Sequence, residues 1–160
     1  MESLARDRAI ARFLSNRQHL LVDFVKLSAA VEHRQRDIAE VLLKRCCQSL
    51  VDYLSDGYFR IYGDLLSCQA WPTQHQYARF EATTATAMGF HDRFGDGRAA
   101  WTLSSLRGPL ADLGLALETR FELEDELVRR RNPRPAIEQT VGHIAAGTAD
   151  HLKLRIGFPA

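Results

Sequence analysis

The chain lacks any apolar run approaching the roughly 18 residues that a membrane-spanning helix needs. Its first residues, MESLARDRAIARF, carry charge from the second position and hold no apolar stretch of the signal-peptide kind. Both absences predict a cytoplasmic protein. Cysteine is scarce: three in all, with Cys46 and Cys47 adjacent and no CxxC spacing. That excludes a disulfide framework and a CxxC metal or redox motif, leaving small buried hydrophobes in a reducing compartment. An excess of one charge is missing too. Lys and Arg number 21 against 20 Asp and Glu, a net charge of +1, so a protein that coats nucleic acid is not expected.

Catalytic and cofactor signatures are equally absent. There is no glycine-rich phosphate loop and no GxSxG elbow. The six histidines (His19, His33, His75, His91, His143 and His151) make no HxxxH, HxxxE or ExxH pair that would set two metal ligands on one helical face. His19, in RQHLL, reads as a polar rim residue. A di-iron bundle is disfavoured, no cofactor is expected, and no residue supports an enzymatic reading. The acidic run Glu122, Glu124, Asp125 and Glu126 resembles a metal or acid-base pair only superficially. Glu118, Glu122, Asp125 and Glu126 share one face opposite much of the leucine line, which a solvated helix surface explains better.

What is present is helical period. With 160 residues, 46% of them hydrophobic, one domain with a sizeable core is expected, built as an all-α antiparallel bundle of four main helices plus short extra ones. Ile10, Phe13, Leu14, Leu21, Phe24 and Val25 mark a long first helix over about 3–30. The polar patch EHRQRD, 32–37, turns the chain into an antiparallel second helix running to Gly57. A short third helix over 58–68 stops before Pro72, which disfavours helical geometry at Trp71. The next helix covers about 74–94, with Tyr77, Phe80, Thr84, Ala87 and Met88 as its best stripe. GDG at 95–97 is a loop. A line of Leu103, Leu106, Leu110, Leu113, Leu117 and Phe121 then marks a long last helix, in which Pro109 either makes a kink or marks the true start. No solenoid repeat is visible.

One stretch carries the functional signal. In CQSLVDYLSDGYFRIYGDLL, 47–66, Cys47, Leu50, Leu54, Ile61 and Leu65 fall on one line of a helix with the preceding Leu43, and Asp52, Asp56 and Phe59 fall on the opposite line. The core side is thus already supplied by other residues, and a large ring beside carboxylates is the stuff of a binding patch. The alternative is that Gly57 caps the helix and resets the phase, so that Phe59 packs inside.

This stretch, with RFELEDELV at 120–128 and FLSNRQHLLV at 13–22, resembles the Rsd/AlgQ family, the regulators of sigma D. The resemblance runs from about residue 9 to 128. It implies an all-helical protein that binds the primary sigma factor of RNA polymerase through that factor's C-terminal promoter-recognition domain. It also implies that Asp52, Ser55 and Phe59 occupy positions used to grip sigma. Asp56 departs from the family, which usually has a small residue there, as does Ala9, where a larger apolar residue is common.

A sigma helix-turn-helix must be basic to meet phosphates. A face of Asp52, Asp56 and Asp64 with Phe59 and Tyr62 answers it in charge, with rings to fill apolar gaps. Residues 1–131 are therefore expected to form a sigma-binding bundle. Residues 132–160, with Arg134, Lys153 and Arg155 and the alternation Leu152, Leu154, Ile156, Phe158, are expected to form a basic tail, loosely ordered or open to a partner. The alternative function is an adaptor bundle that docks a phosphocarrier or a metabolic enzyme.

Overall fold

A computed structural model describes residues 2–57 and 74–131. They form four helices: α1 (Glu2–Glu32), α2 (Arg36–Asp56), α3 (Gln74–Phe94) and α4 (Leu103–Arg131). The helix expected over 58–68 and the tail from 132 lie outside the described residues. Asp23 meets Ser49 and Asn16 meets Asp56, which makes α1 and α2 antiparallel. Gln76 meets Glu126 and Thr84 meets Arg120, which does the same for α3 and α4. The two hairpins close into an all-α antiparallel bundle, with α2 against α3 and α1 against α4. No described helix is long and apolar enough to cross a membrane.

The core follows the apolar stripes. Phe13, Leu20, Phe24 and Leu27 of α1 meet Leu43, Cys46, Cys47, Leu50 and Leu54 of α2, with Ala87, Phe90 and Phe94 of α3 and Leu106, Leu110, Leu113 and Leu117 of α4. The α2 and α4 lines are those expected from the sequence. In α1, Leu14 instead lies at the exposed edge and Leu20 is fully buried. In α3 the expected stripe holds at Ala87 and, packed against the core, at Phe80, but Tyr77 and Met88 are 47% and 43% exposed, and the inner line is Thr83, Ala87, Phe90, Phe94. A buried threonine on the inner line hides the true phase, because the pattern is read from apolar residues alone. Thr83 stays satisfied inside by donating to the Phe80 carbonyl at 2.7 Å. Both described cysteines are free and buried, and burial pushes the Cys47 thiol up to about 11 and the Cys46 thiol higher still.

The turns have local causes. At the end of α1 the Gln35 N–H donates to the Ala30 carbonyl and the Arg34 N–H to that of Val31, the paired bonds of a Schellman closure. Arg34 fills its left-handed position with φ 56°, where glycine is the unstrained choice. Its neighbour Arg36 lays its guanidinium 3.5 Å from the Trp101 ring centroid, tying this turn to the α3–α4 link. In that link Gly95 is obligatory, since a Cβ there would stand 2.6 Å from the His91 carbonyl oxygen. Thr102 and Ser105 then cap α4 reciprocally, each side-chain oxygen accepting the other's backbone N–H at 3.0 and 2.9 Å. Pro109 therefore lies inside the helix, past its start.

Candidate partner-binding face

The face is built on the last two turns of α2. Leu43, Cys47, Leu50 and Leu54 are drawn into the core, which turns Asp52 and Ser55 outward, where both are exposed. Gln48, one turn earlier, donates to the Asp52 carboxylate at 3.1 Å. Gly57 follows with φ −59° and ψ −53°, right-handed helical values rather than the left-handed geometry of a glycine cap. Phe59, Tyr62 and Asp64 lie outside the described residues.

Asp56 corrects the sequence reading of an open carboxylate beside Asp52. It is only 9% exposed, because α1 leans over it. Asn16 Nδ2 donates to its carboxylate at 2.5 Å, and Arg12 Nε stands 3.3 Å away. At four residues from Asp52 it sits about 40° further round the helix, enough to move it from the rim into the α1–α2 seam. Asp23 is held in the same seam from the other side, accepting from the Ser49 hydroxyl at 2.5 Å and pairing with Arg45 at 3.4 Å. Between these two acids runs an open groove of about 350 Å³ lined by Asn16, His19, Val22, Asp23, Arg45, Gln48, Ser49 and Asp52. His19 is exposed on its wall, in keeping with a rim position.

Under this face lies a buried polar hub drawn from all four helices. The Tyr53 hydroxyl donates to Glu124 Oε1 at 2.5 Å and accepts from Arg120 Nε at 3.1 Å, and Arg120 Nε is 3.2 Å from the same carboxylate oxygen. Arg120 Nη1 donates to Thr84 Oγ1 at 2.7 Å, and its guanidinium lies 4.2 Å from the Phe80 ring centroid. Arg17 closes the hub from α1, 3.7 Å from Glu124 and 2.7 Å from Asp125. Burial works against its charge, but the Asp125 hydrogen bond and the two carboxylates outweigh that and raise its pKa. The Tyr53 ring stacks on Phe13 and meets Phe121 edge-on.

The sequence reading takes the leucine line on through Phe121 and names Glu124 only within the acidic run, so it misses the buried Arg120–Glu124 pair. The signal was there in spacing: Leu113, Leu117, Arg120, Glu124 and Leu127 form one unbroken inner line, with an i,i+4 pair of opposite charge inside it. Glu118, Glu122, Asp125 and Glu126 are all at least partly exposed. Among the described residues no group of three or more His, Cys, Asp or Glu is placed to hold a metal ion.

Comparison with known proteins fits this picture. The family model described as "Regulator of RNA polymerase sigma(70) subunit, Rsd/AlgQ" matches residues 3–131. A protein named "Regulator of sigma D" from Yersinia enterocolitica is 31% identical over 130 residues, covering 75% of this chain and 78% of that protein. Its namesake in Salmonella paratyphi B is 34% identical over 140 residues, covering 76% and 80%. That in Enterobacter sp. is 32% identical over 130 residues, covering 76% and 79%. No solved structure gives a significant match.

Proposed function

Because this chain belongs to the Rsd/AlgQ family of regulators of the RNA polymerase sigma(70) subunit, we propose that it binds the C-terminal promoter-recognition domain of the primary sigma factor and withholds it from RNA polymerase. A domain held in this way no longer reaches the flap of the polymerase beta subunit or the upstream promoter element. The role is one of binding rather than catalysis, carried out in the cytoplasm where polymerase works.

The observation that carries this reading is the family match over all four helices, joined to the open Asp52 and Ser55 at the end of α2. A basic helix-turn-helix surface meets carboxylate there in place of phosphate. Asp52 and Ser55 supply polar contacts, and Phe59 and Tyr62, next in the chain, supply the apolar anchor. Asp56, held by Asn16 and Arg12, contributes a fixed charge from beneath rather than an open contact.

The test is a calorimetric titration of the purified sigma C-terminal domain with wild-type protein, Asp52→Ala and Phe59→Ala. Removing a ring that anchors the interface weakens binding by about 2 kcal/mol or more. Equal affinity for wild type and both variants would place the site elsewhere, and no binding by the wild type would refute the reading.

A further inference from the structure

The buried charges of this molecule have a common target. Among the described residues the buried charged side chains are Asp23, Asp56, Arg120 and Glu124. Asp23 accepts from the Ser49 hydroxyl. Arg120 donates to, and Glu124 accepts from, the Tyr53 hydroxyl. Asp56 is itself on α2 and is gripped from α1 by Asn16 and Arg12. All four thus bear on one stretch of α2, residues 49–56, while its first turns are packed by apolar groups such as Ala39 and Leu43.

From this convergence we infer that Asp23, Arg120 and Glu124 are positioning residues that fix the rotation and height of the end of α2, and with them Asp52 and Ser55, without touching the partner themselves. The inference rests on the reading of that face as the docking site and deepens it. Contacts among leucines are non-directional, and a helix packed by them alone turns or slides a little at small cost. A tyrosine hydroxyl that donates to one buried group and accepts from another is satisfied at a single rotation of its helix. Tyr53 lies one residue from Asp52 and two from Ser55. Any turn of α2 that frees the hydroxyl sweeps both of them off the face by the same angle. The Ser49–Asp23 and Asn16–Asp56 bonds, at 2.5 Å each, hold the same two turns from the side. Four helices therefore set the orientation of a few exposed groups.

Tyr53→Phe tests this in the full chain, because it removes the hydroxyl, keeps the ring between Phe13 and Phe121, and leaves Arg120 paired with Glu124. Phe90→Leu, in the apolar part of α3, is the matched control for lost stability. Two quantities are read: affinity for the sigma C-terminal domain, and amide hydrogen exchange of residues 49–56 relative to residues 106–113 of α4. Tyr53→Phe is expected to weaken binding roughly tenfold, the worth of a hydrogen bond to a charged group, and to lower the relative protection of 49–56. Phe90→Leu is expected to lower the melting temperature at least as far and to change neither reading. Wild-type affinity and protection in Tyr53→Phe would overturn the inference, as would equal losses in Phe90→Leu, since general stability would then account for them. If the wild type fails to bind the sigma domain, the docking reading falls and the exchange ratio alone decides whether the buried charges fix 49–56. Should Tyr53→Phe not fold, Ser49→Ala is read by the same two measurements, with a smaller expected loss.

Discussion

The two ends of the bundle are built from different materials. Where α3 turns into α4, the interior is Phe90, Phe94, Leu106 and Leu110, with no charged side chain among them. Where α2 ends, the interior holds Arg120 and Glu124, each 2% exposed, around the Tyr53 hydroxyl. The apolar end gains stability from area removed from water, and it tolerates a change of shape if volume is kept. The charged end gains little net stability, because desolvation offsets most of the attraction, but it tolerates almost no change of geometry. A binding face needs the second property, and Asp52 and Ser55 stand over that end.

The sharpest way to break the contrast is to remove one partner of the hub. Glu124→Ala leaves the Arg120 guanidinium buried beside an uncharged cavity, and such a loss costs about 3–5 kcal/mol. Thermal unfolding followed by circular dichroism should show a fall on the order of 10 °C for a chain of this size. The triple change Tyr53→Phe, Arg120→Met, Glu124→Leu replaces the hub by apolar groups and should recover most of that stability. It should not recover affinity for the sigma domain. Full recovery of both would mean that the charges are replaceable by packing and have no orienting role.

Leu106→Ala is the corresponding cut at the apolar end. Leu106 is fully buried, so a loss of about 2–5 kcal/mol is expected from lost transfer energy and the cavity left behind. Affinity measured well below the new melting temperature should stay at the wild-type value. A parallel fall in affinity would erase the distinction between the two ends.

Asp52→Ala reverses the pattern. Its carboxylate is exposed and bonded only to Gln48 among the contacts seen, so stability should move by less than about 0.5 kcal/mol. Affinity for the sigma domain should fall several-fold, with a weaker dependence on salt, since a surface charge facing a basic partner has been lost. The alkaline limb gives a further contrast. The Cys47 thiol, ordinarily near 9.0, sits at about 11 in the fold, and Cys46 is shifted in the same direction. A pKa raised by folding supports stability fully below the unfolded value, so that contribution is lost as the pH climbs from 9 towards 11. Urea midpoints across that range should fall in the wild type and fall less in Cys47→Ala.

Much of this architecture is legible in the sequence, for a physical reason that also marks where the reading stops. The line Leu43, Cys47, Leu50, Leu54 is unbroken apolar period, and the charged patch after Val31 and the glycines at 95–97 interrupt it where the chain turns. Period fails where polar groups are buried. Thr83 displaces the apparent phase of α3, Glu124 carries no sign in the acidic run that it is buried, and Asp56 reads as open beside Asp52. Each of these groups has a partner on another helix: Arg120 for Thr83 at 3.3 Å, beside its bond to Phe80 in its own helix, Tyr53 for Glu124, and Asn16 for Asp56. Sequence spacing has no view of such pairs. Of the candidate site, Asp52 and Ser55 stand as exposed groups, while Phe59 and Tyr62 lie outside the described residues.

The smallest effect belongs to the turn between α1 and α2, at the apolar end of the bundle, where Arg36 meets Trp101. Arg34 holds φ 56° in the Schellman closure, and a residue with a Cβ gives up roughly 1–2 kcal/mol in that left-handed region. Its side chain is exposed, so glycine would remove the strain without opening a cavity. Glycine also has more freedom to lose on folding, which takes back part of the gain. Arg34→Gly should therefore raise stability by about 0.5–1 kcal/mol in urea titration, with no change in affinity for the sigma domain. A loss of stability would show that the Arg34 side chain holds the turn by contacts that outweigh its backbone strain. A gain accompanied by tighter binding would mean that stiffness at this turn reaches the far end of α2, and the two ends would then be coupled rather than merely different.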